Sequence, residues 1–203
     1  IDGPGRIFKV FHLKGTHVPY ILDENLNYAE MPQNTTGYKS QAKASLKISY
    51  ALLESLKRNY LYNSSMIFII GDHGSGVTEN SNAELSIPSR VIPLMLVKPF
   101  NSTGQLKVSD SPVTAGDIPK TVAEELKIKN DLPGLSIRSV NETDSRIRIC
   151  YVYGWRSEDH DIYNEYLSPL NEYQVSGFSW NVSSWKPTYY QYTSSGVKYV
   201  PPL

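Results

Sequence analysis

Met66 to Ile70 is an unbroken apolar run of strand length, and it stops abruptly on Gly71, Asp72, His73 and Gly74 in the stretch IFIIGDHG. A continuous apolar run of this length suits a strand covered on both faces, the position of a strand in a sheet between helices. The preceding segment fits that placement. From Ser40 to about Tyr60, Ala44, Leu46, Ile48, Ala51, Leu52, Leu53 and Leu56 fall mostly on one helical stripe. Lys43, Lys47, Glu54, Lys57 and Arg58 lie largely off it, and Ser40 is in place to cap it. A helix feeding a doubly covered strand predicts α/β layering.

The flanks extend this pattern. Ile7 to Leu13 is β-branched and aromatic and ends at Lys14-Gly15, so it reads as a strand running into a loop that carries THVPY. Ile21 to Gly37 reads as loop and turn, Gly74 to Ser89 as a long polar loop, and RVIPLMLVKP as a second buried strand interrupted by Pro93. Thr114 to Asp117 resembles a capping box opening a helix from Ile118 to about Leu126, with Pro119 tolerated in its first turn. Beyond Arg146, RIRICYVYGW alternates like a strand, and the remainder is loaded with Tyr, Trp and turn residues. The expected division is an α/β part over residues 1–145 and an irregular, β-rich subdomain over 146–203 packed on it.

Composition narrows the partners. The 203 residues suit about one domain. Lys and Arg balance Asp and Glu at 20 each, so no electrostatic case for nucleic acid or an anionic membrane exists. No window approaches a membrane span, and the chain as given reads as soluble. Cys150 is the single cysteine, which excludes an intrachain disulfide, and its setting in RICYVYG reads as a small buried hydrophobe. Asn34, Asn63, Asn101, Asn141 and Asn181 each begin an N-x-Ser/Thr triplet, an acceptor pattern in secreted eukaryotic proteins. In a chain this rich in Asn, Ser and Thr, chance is the simpler account of such triplets, and they carry little weight.

The chemistry has to be local. In open α/β sheets, ligands gather beyond the carboxyl ends of the strands. The first expected strand delivers His12, Lys14 and His17 there, and the second delivers Asp72 and His73. A carboxylate and a neutral imidazole suit Zn or Mn, and the flanking Gly71 and Gly74 relieve crowding. Taken alone, an Asp-His dipeptide bounded by glycines reads better as an ordinary strand-end turn. His160 with Glu158, Asp159 and Asp161 is a second cation candidate, for which a polar turn is the simpler account. Glu79 and Glu84 are loop acids. The aromatic tail could stack on sugar rings, although covering the sheet is the simpler role.

The order of HLKGTHVPY, an amphipathic helix, NSSMIFIIGDHG, RVIPLMLVKP, SDSPVTAGDIPKTVAEEL and LPGLS resembles the later half of the sulfatase family of the alkaline phosphatase superfamily. It looks most like the membrane-anchored branch of phosphoethanolamine transferases and lipoteichoic acid synthases, over about residues 7–140. The resemblance implies a mostly parallel central sheet flanked by helices, with a divalent metal (Zn, Mn, Mg or Ca) at the strand ends. It implies Asp72 and His73 as metal ligands and His17 as a histidine facing the phosphate, sulfate or leaving group. His12 falls beside that site as a further catalytic candidate, and Lys98 at the end of LMLVKP as a contact for an anionic substrate.

The implied activity is hydrolysis or transfer of a sulfate or phosphate ester, including phosphoethanolamine or phosphoglycerol transfer to a cell-envelope glycolipid or polymer. It would take place outside the cytoplasm, with membrane attachment through upstream segments. The family's nucleophile and further acidic ligands belong to an earlier segment, so this stretch alone is expected to bind metal weakly and not to turn over. The loop after DHG lacks the further histidine usual in the transferases. The alternative is a non-catalytic binding or assembly module that keeps the fold; a third reading is an unrelated α/β domain with an Asp-His turn.

Overall fold

The computed structural model describes residues 7–75, 89–152, 160–161, 164–165, 169–193 and 195–201. Contacts divide the chain into two units, one built from residues 7–71 and 96–102, the other from 72–75, 89–95 and 103–201. The division therefore falls near residue 72 and around 95–103, and residues 103–145 belong with the C-terminal sheet.

The first unit is organised by α1 (Thr35–Arg58). It begins five residues before the expected start because Asn34, not Ser40, is the cap: its Oδ1 accepts from the N–H groups of Thr36 and Gly37. Gly37 reads as a turn signal in the sequence but is a buried helical residue, placed there by close packing. A Cβ on it would overlap the Pro32 carbonyl and lie 2.8 Å from the Tyr20 ring. Lys57 and Arg58 end the helix, where cations oppose the exposed carbonyl dipoles. Tyr20 and Ala44 are buried, and Tyr20 meets Tyr38 edge-on at 6.3 Å.

β1 (Ile67–Ile70) and β2 (Met95–Lys98) form a two-stranded sheet. The Asn101 N–H donates to Asn63 O at 2.8 Å, and Lys98 reaches the carbonyls of Tyr62, Asn63 and Ser65. The end of β2 thus meets the start of β1, and the two strands run in opposite directions. Ile7 to Leu13, expected as a strand, forms no ladder among the described residues. Its Phe8 and Val10 are 72% and 75% exposed. Local alternation makes a strand only where a neighbour takes its N–H and C=O groups. Mixed α and β structure is present, but among the described residues no parallel central sheet forms.

The second unit contains α2 (Ile118–Glu125), starting close to where the sequence places it. Six strands follow: β3 (Ile147–Val152), β4 (His160–Asp161), β5 (Asn164–Glu165), β6 (Leu170–Ser176), β7 (Trp185–Thr193) and β8 (Gly196–Tyr199). β4 and β5 pair as a two-residue ladder, while the others form an antiparallel sheet in the order β3-β6-β7-β8. Cys150 stands opposite Tyr173, and Val175 opposite Trp185. A register shift between Asn171 and Tyr173 bends the sheet. The β-rich C-terminal portion expected from the sequence is present in this sheet.

Asp117 anchors the second unit. Its carboxylate is 0% exposed and accepts two bonds from Arg146, at 2.7 and 2.8 Å. The N–H groups of Thr114 and Leu135 add bonds at 2.8 and 3.0 Å. Burial alone would raise the Asp117 pKa, but these donors and the guanidinium charge outweigh it and hold the carboxyl below its ordinary value. The segment after α2, the loop before it and the start of β3 are thereby tied to one carboxylate. No helix among the described residues is long and apolar enough to cross a membrane.

Candidate functional site

β1 ends at Ile70, and the next residues place Asp72 and His73 in solvent, with side chains 88% and 49% exposed. Asp72 Oδ1 accepts from the His73 N–H at 2.9 Å, turning Oδ2 outward. His73 Nδ1 lies 2.7 Å from Gly74 O. A carbonyl can only accept, so this bond needs the hydrogen on Nδ1, and the neutral ring then carries its lone pair on Nε2. An imidazole that donates one N–H to a carbonyl and offers the other nitrogen is the usual arrangement of a metal-ligating histidine.

Nε2 of His73 and Oδ2 of Asp72 are 3.9 Å apart. Zinc bonds to such atoms are about 2.0–2.2 Å long, and at a tetrahedral ion two of them set their donors about 3.4 Å apart. The two atoms would have to close by about half an ångström to share one tetrahedral ion. These are two of the roughly four donors that zinc takes. Among the described residues no group of three or more His, Cys, Asp or Glu side chains gathers.

Gly74 serves a different purpose from the one read in the sequence. Its N–H donates to Arg90 O at 2.6 Å, and a Cβ would overlap Ser89 O and lie 2.8 Å from Ile92 O. Close approach of the 89–92 backbone, more than crowding between ligands, requires this glycine.

His17 belongs to the first unit. It is exposed, and its Nδ1 lies 2.6 Å from Val18 O, so by the same reasoning its Nε2 is the available nitrogen. The loop bearing it is held by Gln41, a buried residue of α1 that the sequence pattern does not single out. Gln41 Nε2 donates to Gly15 O at 3.0 Å, while its Oε1 accepts from Ile21 and Leu22 N–H at 3.1 and 2.9 Å. The only sequence sign was a polar residue on the apolar stripe of a helix. His12 is exposed within the Ile7 to Leu13 segment. His12 and His17 lie in one unit, Asp72 and His73 in the other.

Lys98, expected to meet an anion, is engaged at the start of β1. Its Nζ donates to Tyr62 O at 2.6 Å, Ser65 O at 2.9 Å and Asn63 O at 3.4 Å, and sits 4.5 Å from the Tyr62 ring centre. Burial lowers its pKa. Cys150 is half-buried, and burial pushes its thiol up, away from thiolate chemistry. Glu79, Glu84 and the side chains of Glu158 to Asp161 lie outside the described residues.

Compared with protein-family models, with curated proteins and with solved structures, the chain matches none of them.

Proposed function

We propose that this chain forms the later part of a metal-dependent, sulfatase-like enzyme whose whole form hydrolyses or transfers a sulfate or phosphate ester outside the cytoplasm. The observation that carries the reading is the Asp72-His73 pair. The two side chains leave the end of β1 together, with Nε2 of His73 3.9 Å from Oδ2 of Asp72. Such a metal would polarise an ester oxygen and activate a nucleophile. Asp72 and His73 would hold it, together with further ligands from elsewhere in the whole protein. His17 offers Nε2 to bind the anion or protonate a departing oxygen, because its other nitrogen is tied to Val18 O. Lys98 has no part in this reading.

The wider, mostly parallel sheet of the family belongs to the same proposal. Ile7 to Leu13, apolar and exposed, is the segment that would join it. The substrate is a sulfate or phosphate ester, carried on a lipid or glycan in the branch the sequence resembles.

Calorimetric titration of the full-length protein with zinc and with manganese tests the reading. The expected result is stoichiometric binding that Asp72→Ala and His73→Ala each weaken at least tenfold. Equal affinity in wild type and both variants would remove the basis for an enzyme and leave a non-catalytic module of related fold.

A further inference from the structure

The five N-x-Ser/Thr triplets, uninformative as sequence, share one structural situation. Asn34, Asn63, Asn101, Asn141 and Asn181 are all exposed, and none lies within a helix or strand. Asn34 caps α1, Asn63 and Asn101 lie in turns flanking β1 and β2, Asn141 opens a turn before β3, and Asn181 opens the turn leading to β7.

The side-chain amides carry the argument further. Among the described residues, Nδ2 donates to no protein acceptor in any of the five. Of the five asparagines outside the triplets whose side chains are described, Asn27, Asn59 and Asn130 direct theirs to Asp23 Oδ2, Ser55 O and Ile128 O, while Asn25 and Asn171 are engaged through oxygen alone. Where a triplet asparagine is engaged, it is through oxygen. Asn34 Oδ1 accepts from Thr36 and Gly37 N–H, and Asn181 Oδ1 accepts from Ser183 N–H and Oγ–H. The atom that a glycan would modify is free, and the atom that modification spares holds the cap.

We propose that these five asparagines are N-glycosylation sites, filled from a polyprenyl-pyrophosphate-linked oligosaccharide in the lumen of a secretory compartment. In that transfer Nδ2 bonds to the anomeric carbon of the first sugar. The bond from that carbon to the pyrophosphate oxygen breaks, the pyrophosphate leaves with the electron pair, and Nδ2 gives up one proton. Oδ1 and the remaining N–H are untouched, so both caps persist in the modified protein. Asn63 and Asn101, joined by a 2.8 Å backbone bond, would carry two glycans side by side at the start of β1, opposite the end that leads to Gly71. The inference does not depend on the metal reading and fails or succeeds separately from it.

The test uses the protein purified from its source, treated with peptide N-glycosidase in heavy-oxygen water. A labelled aspartate appears in the peptide mass spectrum wherever a glycan was attached. Label at three or more of the five positions is the expected result; label at two or fewer overturns the proposal. The Thr36→Ala, Ser65→Ala, Thr103→Ala, Thr143→Ala and Ser183→Ala variants, translated behind a secretory signal with microsomes, give a readout independent of folding. Each keeps its asparagine and should lose one glycan from an endoglycosidase-sensitive ladder. Loss of a step in three or more variants supports the proposal, and loss in two or fewer contradicts it.

Discussion

Replacing Arg146 by leucine removes the guanidinium from a carboxylate that has no access to water. Asp117 is 0% exposed and would keep only the Thr114 and Leu135 donors, losing both charged bonds at 2.7 and 2.8 Å. Breaking one side of a buried ion pair costs about 3–5 kcal/mol, because the remaining charge is stranded. Trp180 and Trp185 lie in the same unit, so urea unfolding followed by tryptophan fluorescence reads the effect directly. With a slope of about 2 kcal/mol per molar, the midpoint should fall by roughly 1.5–2.5 M.

The pH dependence has a definite sign. The folded Asp117 pKa is depressed, so its stabilisation is present above the unfolded value of roughly 3.9 and is lost as pH falls through the folded value. In Arg146→Leu burial acts without the guanidinium to oppose it, and the carboxyl can shed its charge by protonation. Wild type and variant should therefore converge as pH drops from 7 toward 3. The Asp117→Asn/Arg146→Leu double variant should lose less than the sum of the single losses, since neither charge is then stranded. A loss under about 1 kcal/mol at pH 7, or a gap that stays constant with pH, would refute the reasoning.

Three further outcomes follow from the first unit. Gly37→Ala, normally favourable inside a helix, should destabilise by about 1–3 kcal/mol in thermal unfolding, because its Cβ overlaps the Pro32 carbonyl. Gln41→Leu leaves the Gly15 carbonyl and the Ile21 and Leu22 N–H groups without their partner. It should cost about 2–3 kcal/mol and speed amide exchange at residues 21 and 22. Lys98→Met should raise exchange across residues 62–65 while leaving metal affinity unchanged, since its ammonium serves those carbonyls.

The parts of this structure that were legible in the sequence are those fixed by local pattern. The apolar stripe from Ala44 to Leu56 marks α1, Ile67–Ile70 and Met95–Lys98 mark the paired strands, and Thr114 to Asp117 marks the start of α2. What was hidden depends on distant partners. Asn34-Thr35-Thr36-Gly37 has turn composition, yet it opens a helix because Asn34 caps it and Gly37 packs on Pro32. Ile7 to Leu13 has strand composition but pairs with no strand among the described residues. Asp117 was legible as a capping residue, whereas its pairing with Arg146 joins positions 29 apart and leaves no local trace.

The site divides in the same way. Asp72 and His73 follow the end of β1, whereas His17 follows a segment that forms no strand among the described residues. The Gln41 anchor of that loop and the carbonyl cage around Lys98 became visible only through long-range bonds.

The central claim is that Asp72 and His73 hold a divalent ion, with His73 binding through Nε2. Long-range proton–nitrogen correlation spectra of the histidine rings in the full-length protein, recorded with and without zinc, test it most directly. The account predicts that His73 Nε2 shifts on zinc addition while Nδ1 keeps its hydrogen, and that Asp72→Ala weakens the response. A His73 ring that is unchanged by zinc, or that carries its hydrogen on Nε2 throughout, would contradict it.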